Sequence, residues 1–98
     1  MDRSFGSRRG RVELFGDILQ AIDEDTRIYG SPRLTRVQGN TNLPYDRFKF
    51  FVDKLVEMRL LALQRRGNYF EIRLEEKGLE FVRNYKAVKK LLDTFSQD

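Results

Sequence analysis

Apolar residues recur along this chain with two periods, and the switch between them divides it into elements. From Arg9 or Arg11 to about Glu24, Val12, Phe15, Ile18, Leu19 and Ile22 follow helical spacing with Leu14 on the flank, which predicts an amphipathic helix. Gly16 inside it costs about 1 kcal/mol of helix propensity relative to Ala, and a close approach by another segment is one reason for it to stand there. Thr26 to Gly30 has no such stripe; Ile28-Tyr29 fits a very short strand or an anchored connection. Ser31-Pro32 is a helix-start signal. The short helix it opens puts Leu34 and Val37 inward and Arg33 and Arg36 outward, and Gly39-Asn40 ends it.

The stretch Asn42 to Leu61 holds the strongest pattern. Phe48, Phe51, Val52, Leu55 and Met58 form one stripe of a long helix whose first turn contains Pro44 and Asp46, with Leu43 as an apolar plug in the preceding turn. Tyr45, Arg47, Lys49 and Phe50 lie on or near the other face; of the two placements open to Phe50, outward or against the short helix, the second is favoured. A short helix, a turn and a longer helix with a polar first half is the helix-turn-helix arrangement.

Beyond Met58-Arg59 the period falls to two. Leu61 to Gln64 is apolar, Arg65-Arg66-Gly67-Asn68 is a turn cluster, and Tyr69 to Leu74 alternates with Phe70, Ile72 and Leu74 on one face, which predicts a hairpin with two arginines at its tip. The fold class is therefore α+β, a winged helix-turn-helix of three helices plus a β-hairpin wing. A last helix from about Glu76 to Phe95 completes the chain. Phe81, Tyr85, Val88, Leu92 and Phe95 recur in heptad spacing along it and predict a coiled-coil-like homodimer. The competing arrangement packs Phe81, Val82 and Tyr85 on the first helix of the same chain. Residues 1–8 form a flexible basic arm in this reading, 9–78 the winged-helix domain, and 79–98 a dimerisation helix continuous with it.

Composition narrows the function classes. Ninety-eight residues with eight Phe and four Tyr suffice for one modest core. Lys and Arg number 19 against 15 acids, a net charge of +4 that suits a polyanionic partner without requiring one. The chain has no Cys and no His, so the commonest nucleophile, general base and metal ligands are missing, and Ser4, Ser7, Ser31 and Ser96 have no His partner. No catalytic residue, metal or cofactor is expected, and the protein is read as a non-enzyme. The first ten residues lack the apolar core of a signal peptide, and Leu60 to Leu63 is too short to span a bilayer, so a cytoplasmic protein is expected, nucleoid-associated if its partner is DNA.

From Thr35 the segments TRVQGNTNLPYDRFKFFVDKLVEMRLLALQ and YFEIRLEEKGLEFVRNY resemble small archaeal winged-helix DNA-binding proteins. That group includes the 10a-type chromatin proteins of Sulfolobus relatives and several predicted transcriptional regulators. The resemblance rests on Thr35-Arg36-Val37, Asn42-Leu43 and Leu74-Glu75-Glu76-Lys77-Gly78, and covers Arg11 to about Phe95 with loose motifs. Two positions depart from it. Glu75 stands where Thr or Ser is usual, and Met58-Arg59-Leu60 replaces a more usual Gly before the strand. The resemblance implies duplex DNA binding, in an architectural or sequence-preferring mode, and dimerisation through an antiparallel coiled coil of the last helix.

The candidate interface follows from the elements. Arg65 and Arg66, with Arg33 or Arg36, are placed to meet phosphates; Asn42, Tyr45, Arg47 and Lys49 are placed to reach base edges in the major groove of double-stranded DNA. The rival is a winged-helix protein-interaction module in a transcription-related complex. Its signature is an apolar or acidic face on the long helix, which Asp46 and Asp53 favour and Arg47 and Lys49 oppose.

Overall fold

The structure, a computed structural model, describes residues 10–95; the expected arm at residues 1–8 lies outside the described residues. The element order is α1 (Arg11–Tyr29), α2 (Leu34–Thr41), α3 (Tyr45–Glu57), β1 (Leu61–Arg66), β2 (Tyr69–Leu74) and α4 (Glu76–Phe95). One core joins them. It is built from Leu14, Ile18, Leu19 and Ile22 of α1, Leu34 and Val37 of α2, Phe48, Phe51, Val52 and Leu55 of α3, Leu61 and Ile72 of the hairpin and Val82 of α4, with Leu43 plugging the turn between α2 and α3 as its sequence position predicts.

Helix α1 runs one turn beyond its expected end, because its inward stripe continues through a carboxylate. Asp25 follows Ile22 by three residues, occupies the next inward position and is buried. Apolar periodicity does not register such a residue. The extra turn is closed by the Thr26 hydroxyl donating to the Ile22 carbonyl at 2.7 Å and by left-handed Gly30, whose N–H donates to the Thr26 carbonyl at 2.8 Å. The stripe is also rotated from the expected one, with Leu14 buried and Val12 64% exposed. At the start, the Glu13 carboxylate accepts the Gly10 N–H at 3.0 Å.

The short extended segment falls at Pro32-Arg33 rather than at Ile28-Tyr29. The Ile72 N–H donates to the Pro32 carbonyl at 2.9 Å, and Arg33 forms a single antiparallel bridge with Glu71. Arg33 is the N-cap of α2, one residue after Pro32, so the helix starts at Leu34. Asn42, in the left-handed conformation, ends it two residues later than Gly39-Asn40 suggested.

Helix α3 closes with a Schellman motif: Arg59 N–H donates to Val56 O and Leu60 N–H to Leu55 O, each at 2.9 Å. Glycine usually supplies the left-handed residue in this motif. Arg59 supplies it here, at φ 64°. Met58, expected on the buried stripe, is carried out to solvent by this turn. The strands pair from Leu61 opposite Leu74 to Arg66 opposite Tyr69. The connection is thus two residues, Gly67-Asn68, with Gly67 at positive φ as a type II′ turn requires. Arg65 and Arg66 belong to the strand, not the turn.

The first half of α4 packs back on α1. Phe81 and Tyr85 stack with ring centroids 6.1 Å apart, and a methyl group added at Gly16 would run into the Tyr85 ring. The close approach at Gly16 is therefore present, and a residue of α4 makes it. Gly78, in the first turn of α4, abuts the Leu60 carbonyl, where a Cβ would collide with backbone. The Glu75 N–H donates to that same carbonyl at 3.0 Å, which pins the start of α4 to the exit of α3.

Candidate nucleic-acid interface

Cross-strand register decides which cations gather on the wing. Residues directly opposed in an antiparallel pair share a face, so Arg66 and Tyr69 lie with Gln64, Glu71, Ala62 and Arg73 on one side, and Arg65 lies with Phe70 on the other. The bridge at Glu71 adds Arg33 to the first side. There the Arg33 guanidinium sits 4.1 Å from the Tyr69 ring centroid. Glu71 is buried among them, with Arg66 at 3.3 Å and Arg73 at 3.8 Å from its Oε1. Three arginines thus surround one carboxylate and one aromatic ring, leaving an excess of positive charge on this face. Arg73 was not among the expected contacts; the strand register that would have found it depends on the turn length.

On the other side of the hairpin, Arg65 donates from Nε to the Gly67 carbonyl at 3.1 Å. Its guanidinium lies 5.8 Å from the Phe70 centroid. Phe70, expected on the buried face, is exposed. The alternation is as read, but Phe70 pairs near the hairpin tip, beyond the reach of the core that covers Ile72.

Arg36 is placed elsewhere. Its Nε and Nη2 donate to the two carboxylate oxygens of Asp25 at 2.8 Å each, Nη2 also donates to the Ser31 carbonyl at 2.8 Å, and the guanidinium covers Tyr29 at 3.9 Å. The hydrogen bonds to Asp25 raise its pKa above the ordinary arginine value. This is a clasp between the end of α1 and the start of α2. Among the acids of α1, Asp23 meets Arg27 and also Lys86 of α4, while Asp25 takes Arg36.

On α3 the expected base-contacting residues divide. Tyr45 and Arg47 are exposed, and Arg47 lies 5.8 Å from the Phe51 ring. Lys49 is half-buried and donates to Asp53 at 2.8 Å, which raises its pKa. Asn42 is exposed, but its backbone serves as the left-handed end of α2. The turn it occupies is tied by the Gln38 amide donating to the Leu43 carbonyl at 2.6 Å and the Thr41 hydroxyl donating to the Gln38 carbonyl at 2.7 Å. Arg33, Arg47 and Arg65 have no carboxylate within ion-pair distance among the described residues. Phe50, expected against α2, is 50% exposed.

The expected dimer seam divides in the same way. Phe81 is partly buried against the core and the Tyr85 hydroxyl donates to Asp17 of α1 at 3.4 Å, so both are engaged within their own chain. Val88, Leu92 and Phe95 are exposed, and Leu91 joins them. No described helix is long and apolar enough to cross a membrane.

Similar folds are known. AF1382 of Archaeoglobus fulgidus superposes with a TM-score of 0.70 at 18% identity, over 99% of this chain and 100% of that one. Sso10a-2, a DNA-binding protein from Sulfolobus solfataricus, superposes at 0.71 with 21% identity, over 89% and 85% of the two chains. BpsR of Bordetella bronchiseptica, whose DNA binding is regulated by 6-hydroxynicotinic acid, reaches 0.65 at 21% identity, over 86% of this chain and 60% of its own. No curated protein sequence is a detectable relative. The sequence profile of the winged helix-turn-helix family matches residues 8–93, nearly the whole chain, and the protein is a member of that family.

Proposed function

We propose that this protein binds double-stranded DNA as a homodimer, acting as a transcriptional regulator or an architectural chromatin protein. The first turns of α3 enter the major groove, and the wing lies on the phosphate backbone. The observation that carries the reading is the excess of positive charge on this face of the wing, where Arg66 and Arg73 share the single carboxylate of Glu71 and Arg33 lies over the Tyr69 ring. Guanidinium groups held on a rigid hairpin suit phosphate oxygens, which they meet bidentately. Arg65 extends the set at the tip. Arg36 is left out of the phosphate contacts, because Asp25 already occupies it. Sso10a-2, a DNA-binding protein of similar fold, supports the reading.

Dimerisation rests on the second half of α4. Val88, Leu91, Leu92 and Phe95 are exposed on a helix whose first half is already packed. An apolar stripe of this kind marks an interface. The seam proposed here begins at Val88, after Tyr85 has turned into its own domain.

A second reading, a protein-interaction module without DNA contact, draws on Asp46, Asp53 and Glu57, which cancel the charge of Arg47, Lys49 and Lys54 on α3. One experiment separates the two. Duplex affinity is measured from low to high salt for the parent protein and for a variant with Arg65 and Arg66 replaced by Ala. The DNA reading requires affinity to fall steeply with salt, and the slope to shrink by about 0.9 for each phosphate contact removed. Affinity indifferent to both salt and substitution returns the function to the protein-interaction class.

A further inference from the structure

The outer face of α3 has an order that its composition conceals. Opposite the buried stripe of Phe48, Phe51, Val52 and Leu55, the residues Asp46, Phe50, Asp53 and Glu57 follow one another at spacings of three and four and are all exposed. This outermost row holds one large apolar ring among three carboxylates. The cations stand to either side, with Arg47 and Lys54 on one flank and Lys49 on the other. The row is acidic and apolar, and its edges are basic.

We propose that Phe50 is a base-reading residue whose ring meets the C5-methyl group of thymine on the floor of the major groove. This rests on the DNA-binding reading given above. A major groove has anionic walls and a floor of base edges that present acceptors, amino donors and the thymine methyl group, so a helix that fits it carries cations toward the walls and polar or apolar groups along its crest. Arg47 and Lys54 on one flank suit a wall, Lys49 on the other is tied to Asp53, and the exposed ring of Phe50 on the crest faces the floor. Carboxylates on the crest repel phosphates, so this row is excluded from the walls. On the floor they can accept from the amino groups of cytosine and adenine, whereas an apolar side chain pairs with the thymine methyl.

The Phe50 ring is held for the task. It stands edge-to-face against Phe51 with centroids 5.4 Å apart at 79°, and the Lys54 ammonium lies 5.3 Å from its centroid. Half of the residue remains exposed on a helix whose stripe already fills the core. Because the charges of α3 cancel, the helix adds little general attraction to DNA. What it adds is discrimination, while the wing supplies affinity.

The test compares an alternating adenine–thymine duplex with its adenine–uracil counterpart, which lacks the methyl groups. The parent protein is expected to bind the thymine duplex more tightly, by about fourfold for each methyl contacted. Phe50→Ala is expected to bind both duplexes equally and to keep the salt dependence of the parent. Folding of the variant is checked by its thermal melt. Equal affinity of the parent for the two duplexes, or a preference that survives in Phe50→Ala, overturns the role of Phe50 and leaves the DNA-binding reading standing. Absence of salt-dependent binding to either duplex overturns both.

Discussion

Arg36 grips Asp25 through two parallel hydrogen bonds of 2.8 Å, and the carboxylate it holds is 1% exposed. Removing the arginine strands a buried charge, whereas neutralising the acid leaves an arginine that water still reaches. Arg36→Ala is therefore expected to lower the urea midpoint more than Asp25→Asn does, with the denaturant slope unchanged. It is also expected to leave the salt dependence of duplex binding unchanged. A reduced salt slope in Arg36→Ala would return this residue to the phosphate contacts.

Gly16 faces the Tyr85 ring with no room for a methyl group. Helix propensity alone favours Gly16→Ala by about 1 kcal/mol, but overpacking of this kind costs about 1–3 kcal/mol. The variant is expected to melt below the parent. Combining it with Tyr85→Ala, which vacates the space, makes the two changes non-additive in a double-mutant cycle. Additive effects would place the ring elsewhere.

Arg59 holds the left-handed position that closes α3. That conformation costs a non-glycine residue about 1–2 kcal/mol, partly offset in any glycine variant by the added freedom of the unfolded chain. Arg59→Gly is expected to gain up to about 1 kcal/mol in chemical denaturation, and Arg59→Val to lose stability. The opposite order would contradict the Schellman closure.

The exposed end of α4 is tested by mass. Replacing Leu91 and Phe95 together by Asp leaves the packed half of the helix intact and is expected to shift sedimentation from dimer to monomer, with the melting of each domain largely retained. A parent protein that already sediments as a monomer removes the dimer.

The pH dependence has a defined sign. No histidine is present, so duplex affinity is expected to be flat from about pH 6 to 8. Lys49, whose pKa is raised chiefly by its hydrogen bond to Asp53, contributes stability that is complete below its unfolded-state pKa and lost as pH rises through the higher folded-state value. Lys49→Met is expected to lessen the alkaline loss of stability. An unchanged alkaline limb would show that the pair carries no linkage.

The helix-turn-helix, the hairpin and the last helix are legible in the sequence because each is announced by a local period, and a period needs only neighbours a few residues away. Leu43 as a plug and Gly16 as a point of close approach are legible for the same reason, since each is out of place in its own segment. The length of α1 is not, because its last inward residue is Asp25, acceptable there only through Arg36 eleven positions later. Nor is the division of cations into those engaged with carboxylates and those left for a partner. Arg33, Arg36, Lys49, Arg65 and Arg66 are alike as residue types, and contacts across elements decide which of them meets an acid. Tyr85 turned inward onto Gly16 and Phe50 turned outward from a filled core are decisions of the same kind. Periodicity determines which side of a helix is apolar. The space and charge that other segments bring to that side decide which residues remain for function.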